Sequence, residues 1–161
     1  MKYYIKQKVF SWGDKFNIFT GDGRTVYTVK GEVFSWGKKL HVYDENGDEA
    51  AFIHQKTMSL HPKYIISIDG EDVAAVRKEF TFLKPKYTID GLGWNVSGKA
   101  WCHDYKIDNG YSTVAVISKQ WFTWGDTYEI EILSEENEIE ALCVVLIIDA
   151  VLDSQQAAEN G

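Results

Sequence analysis

At 161 residues the chain can bury one sizeable core and is too short for two ordinary domains. An apolar fraction of 45% with 14% aromatics excludes a disordered chain. A net charge of -7 argues against nucleic-acid binding, which needs a basic stripe. It argues less strongly against an anionic membrane, because a local basic patch can sit on an acidic protein.

The start, MKYYIKQKVF, is polar and strand-like rather than a signal peptide. Together with only two cysteines, Cys102 and Cys143, far apart in sequence, it points to free thiols in the reducing cytoplasm. There the sequon Asn95-Val96-Ser97 is idle.

A repeat follows. VFSWGDKFNIF from Val9 returns as VFSWGKKLHVY from Val33, and WFTWGDTYEIE from Trp121 is a third copy. Each has the pattern of a corner between strands. Gly13, Gly37 and Gly125 supply the backbone freedom, and Trp12, Trp36 and Trp124 are expected to fill matching buried corners. Beyond each corner apolar residues alternate with polar ones, as in Phe16/Ile18, Leu40/Val42 and Tyr128/Ile130/Ile132. Period two predicts strands with one buried face.

Hairpin signals punctuate the rest: Gly21-Asp22-Gly23, Glu45-Asn46-Gly47, Asp69-Gly70-Glu71, Asp90-Gly91 and Asp108-Asn109-Gly110. Between them lie TVYTVKGEVF, EAAFIHQK, YIISI, DVAAVRKEF, YTI, WNVSG, CHDYKI and YSTVAVISKQW. About twelve strands are expected between Lys2 and Ile132, enough for a sandwich or a closed barrel.

From Ile139 to Leu152 only Glu140 and Asp149 are polar, and at 100° per residue they lie on opposite sides of a helix. A helix apolar all round must be buried all round or lie in lipid. The run falls short of the roughly 20 residues of a membrane span. The expectation is therefore a central helix over about 137–152 inside a barrel domain of residues 1–154, followed by a polar tail at 155–161.

The paired SWG units, the Asp/Asn-Gly turns, the third unit KQWFTWGDTYEIEI and the closing apolar helix resemble the LURP-one-related family, over about Lys2 to Leu152. That family belongs to the tubby C-terminal-like superfamily, alongside the phospholipid scramblases. The resemblance implies a twelve-stranded antiparallel barrel around a hydrophobic C-terminal helix. Tubby domains bind phosphoinositide head groups through basic residues on the barrel wall. No Ca²⁺ loop and no added membrane span support scramblase activity in this chain, and fold alone does not carry function.

Candidate chemistry is thin. In a strand, Cys102 and Asp104 face one way and His103 the other, so the three form no local catalytic site. His41, His54, His61 and His103 lack metal-ligand spacing. Gly91-Leu92-Gly93-Trp94 and Gly98 suggest a hairpin rather than a phosphate loop. No catalytic residue, metal or cofactor is assigned. The basic residues Arg77, Lys78, Lys84 and Lys86 form the candidate anionic-ligand patch, and Lys38 and Lys39 lie in another turn. Asp149 needs a partner from the barrel wall, or a frayed helix end. The expected function is a non-enzymatic binding or adaptor domain, cytoplasmic or peripheral at a membrane, taking a phospholipid head group or a protein partner. The alternative is a structural or stress-related interaction protein with no small ligand.

Overall fold

A computed structural model describes residues 1–6, 15–58, 61–79, 86–122, 125–159 and 161. Its strands are β1 (Lys2–Lys6), β2 (Lys15–Phe19), β3 (Thr25–Gly31), β4 (Lys39–Tyr43), β5 (Glu49–Lys56) and β6 (Lys63–Ile68). They continue as β7 (Glu71–Glu79), β8 (Lys86–Asp90), β9 (Trp94–Lys99), β10 (Asp104–Asp108), β11 (Thr113–Phe122) and β12 (Gly125–Ile132). Among the described residues one α-helix, α1 (Glu138–Glu159), follows β12. Each strand pairs antiparallel with its sequence neighbour, and β1 pairs with β12 from Lys2–Glu131 to Lys6–Thr127, which closes the barrel. Closure leaves no exposed sheet edge.

The period-two pattern sets the register. Tyr3, Ile5, Ile18, Val29, Leu40, Val42, Ile53, Ile66, Ile107, Ile117 and Ile130 point inward and are buried. Their counterparts on the outer face are polar or partly exposed. The turns are built by their side chains. Asp44 Oδ1 accepts from the backbone N–H groups of Asn46 and Asp48, both at 2.9 Å, and Asn109 Oδ1 accepts from those of Tyr111 and Ser112 at 3.0 and 2.8 Å.

The helix occupies the interior. Every residue from Ala141 to Leu152 is buried, which is the environment that a helix without a polar face requires. It begins at Glu138 and continues through the residues expected to form a tail. Ser154-Gln155-Gln156-Ala157-Ala158-Glu159 contains no breaker and several good helix formers, so the last turns propagate.

Two further expectations change. Val33 and Phe34 belong to the turn after β3 rather than to the strand, and both are exposed. Trp36, expected in a buried corner, is 94% exposed. The helix and the strand side chains fill the barrel, and Trp36 stands on a connection beyond the strand ends. The matching positions Trp12, Gly13 and Trp124 lie outside the described residues. Gly125 opens β12 and pairs with Phe122.

Candidate docking rim

An up-and-down barrel sorts its connections by parity. The turns after β2, β4, β6, β8 and β10 leave one end, together with the approach to α1. The turns after β3, β5 and β9 leave the other. The first end carries Asp22, Glu45, Asp48, Asp69, Glu71 and Asp108. At the second end, lysines sit on strand after strand: Lys6 ends β1, Lys15 opens β2, Lys39 opens β4, Lys56 ends β5, Lys63 opens β6, Lys86 opens β8 and Lys99 ends β9. Glu32, Glu79 and Asp104 are acids at that same rim. The charge of the barrel is therefore polar along its axis although its net value is negative.

The candidate patch Arg77, Lys78, Lys84 and Lys86 falls in one sector of this basic rim. Arg77 and Lys78 lie near the end of β7 and Lys86 at the start of β8, while Lys84 lies outside the described residues. Local acids moderate the sector: Arg77 pairs with Asp90 at 2.9 Å and Lys86 with Glu79 at 3.5 Å. Lys39 likewise pairs with Glu32 at 3.1 Å.

Beside the rim, His41 on β4 lies between two carboxylates. Its Nε2 is 2.9 Å from Glu32 and its Nδ1 2.6 Å from Glu49. Partial burial works against the charged ring, but the two carboxylates outweigh it and raise the His41 pKa. Phe52 packs against this ring at 4.7 Å and against His54 at 5.3 Å.

Inside the barrel, Asp149 is 4% exposed and carries the polar load of the helix. Tyr128 donates its hydroxyl to Asp149 Oδ2. His103 Nδ1 sits 3.1 Å from Asp149 Oδ1, at ion-pair distance but without hydrogen-bond alignment. His103 closes the 3₁₀ turn of Ala100–Cys102 in a left-handed conformation, φ 51°, and stacks on Tyr128 at 4.7 Å. Desolvation pushes the Asp149 carboxyl above its ordinary range, and His103 partly offsets this. Cys102-His103-Asp104 thus spans a turn, with Cys102 exposed and His103 buried. Among the described residues no group of histidine, cysteine and acid could hold a metal.

Comparison with known proteins places this barrel. The family profile described as LURP-one-related matches residues 1–149. The chain belongs to the LURP-one-related family. It is 38% identical over 152 residues to the uncharacterized protein YxjI of Bacillus subtilis (strain 168), covering 94% of each chain. A protein of Arabidopsis thaliana, solved by X-ray crystallography, has a similar fold, with a TM-score of 0.64 at 18% identity over 93% of this chain and 90% of that one. At that identity the likeness is one of fold. Among the described residues no helix is long and apolar enough to cross a membrane.

Two features of this family member escaped sequence reading. The lysine rim emerges only when connections are sorted by parity around a closed barrel, and the sequence signal is a lysine at that boundary of seven of the twelve strands. His103 as the neighbour of Asp149 had no signal, because the turn at residues 100–103 breaks the strand alternation on which its direction was judged.

Proposed function

We propose that this chain is a non-enzymatic binding domain that docks its basic rim on an anionic lipid surface. The carrying observation is the axial charge polarity, with lysines at one end and acidic turns at the other. A protein of net charge -7 is repelled by an anionic surface in most orientations. Only approach by the lysine end is attractive, so the charge distribution selects one docking pose. The pairing of Arg77 and Lys86 with nearby acids shifts the weight from the β7–β8 sector toward Lys56 and Lys63. The burial of His103 against Asp149 and Tyr128 favours a packing role over a general base in an open cleft.

The test is co-sedimentation with vesicles of phosphatidylcholine, with and without phosphatidylserine, over a range of salt. Binding should require phosphatidylserine and fall steeply as the Debye length shrinks below about 8 Å. The Lys56→Glu/Lys63→Glu variant should lose most of it. Equal binding to both vesicle types, or an undiminished double variant, contradicts the reading.

A further inference from the structure

The basic rim also carries an apolar tip. Phe34 is fully exposed, and Trp36 and Met58 are each 94% exposed, with Val33 beside them. Phe34 and Trp36 stand on the β3–β4 connection and Met58 on the adjacent connection after β5. Single exposed apolar residues need no explanation, but large ones on neighbouring loops at one end of a closed barrel do.

The tip is braced. Ser35 Oγ donates to the Gly37 carbonyl at 2.7 Å, Gln55 N–H to the Lys38 carbonyl at 2.7 Å, and Glu32 N–H to the Lys39 carbonyl at 3.2 Å. Gly37 takes φ +78° with its α-carbon packed so closely on β5 that a Cβ there would lie 2.7 Å from Thr57 Cγ2 and 3.1 Å from the Gln55 carbonyl. A loop held in this way presents Phe34 and Trp36 outward in a set position. Folding within the chain gains nothing from that exposure, because the barrel interior is already filled.

We infer that Phe34, Trp36 and Met58 form a wedge that inserts into the interface of an anionic lipid bilayer while the surrounding lysines hold the head groups. Charge complementarity commits the tip to lipid. Lys56 and Lys63 flank the aromatic residues, and a tryptophan with an apolar body and an N–H donor suits the boundary between acyl chains and head groups. The inference rests on the proposed docking of the basic rim and adds how deep the contact goes.

The wedge is tested with phosphatidylcholine vesicles containing phosphatidylserine, using the full chain and its Phe34→Ala/Trp36→Ala variant. Both side chains are exposed, so the variant should melt as the parent does. Its affinity should fall on the order of tenfold or more, since each tenfold step corresponds to only about 1.4 kcal/mol of lost contact. What binding remains should be more salt-sensitive than in the parent. Lipids brominated on the acyl chain should quench the fluorescence of the parent, and the Trp36→Phe variant should lose a distinct part of that quenching, the remainder reporting Trp101, 43% exposed on the β9–β10 turn of the same rim. Parent-like affinity in the double variant, or quenching undiminished by Trp36→Phe, overturns the wedge and leaves the electrostatic docking standing. A parent chain that ignores anionic vesicles overturns both. A parent chain that ignores vesicles but self-associates, with the double variant monomeric, assigns the tip to a protein contact instead.

Discussion

Asp149 is the polar residue for which the interior makes special provision. Tyr128→Phe removes its hydroxyl donor and leaves a buried carboxylate oxygen without that partner, at an expected cost of about 1–3 kcal/mol in denaturant melts. The raised pKa of Asp149 fixes a sign as well. A carboxyl raised above its ordinary 3.8 contributes stability below that value and loses it as pH climbs through the folded-state pKa. At neutral pH, where the unfolded carboxyl is ionised, the raised pKa is therefore a burden on the fold, and Asp149→Asn should raise the thermal midpoint there. The gain should shrink as pH falls toward about 4. An Asn variant less stable at every pH contradicts this. His41 gives the complementary case. Its raised pKa contributes stability fully present below 6.5, lost as pH rises through the folded-state value. His41→Gln should flatten that part of the pH–stability curve, by no more than about 1 kcal/mol for such partly exposed pairs. An unchanged curve would mean that Glu32 and Glu49 do not hold the ring in solution.

At the scale of the element, α1 and the strands depend on each other. Val145→Asp places a charge at a fully buried position of the helix and should cost about 3–5 kcal/mol, a large part of the ~5–15 kcal/mol stability of an ordinary domain. A chain ending at Glu135 exposes the inward residues of the strands to water and should fail to melt cooperatively. A soluble truncated chain with a sharp thermal transition would make the helix peripheral. These elements were legible in the sequence for physical reasons. Alternation such as Lys39-Leu40-His41-Val42 reports a half-buried strand, Asn46-Gly47 reports a turn, and a helix with no polar face reports burial on every side. Trp36 was misread for a physical reason too. Size and apolarity report that a side chain favours leaving water, not whether the chain gives it room to do so. The extension of α1 past residue 152 was missed because hydrophobic periodicity ends there while helix propensity does not.

For the whole molecule, the consequence of the closed meander is that alternate connections gather at opposite ends. Local sequence carries the lysines and the acidic turns, but only closure makes them two opposed rims. The site was for this reason less legible than the fold: Arg77, Lys78, Lys84 and Lys86 mark one sector, whereas the rim runs through Lys56, Lys63 and Lys99. The chain supplies its own reporter at that rim. Cys102 is exposed on the turn between β9 and β10, whereas Cys143 is wholly buried in α1 with its thiol pKa pushed up by desolvation. A polarity-sensitive thiol dye will therefore label Cys102 selectively, and a Cys102→Ser/Asn46→Cys variant moves the same dye to the acidic end. On adding phosphatidylserine vesicles, the dye at Cys102 should shift to the blue and be quenched by lipid-borne quenchers, while the dye at residue 46 should keep its emission in water. Equal responses at the two ends, or a response at residue 46 alone, would contradict docking through the basic rim.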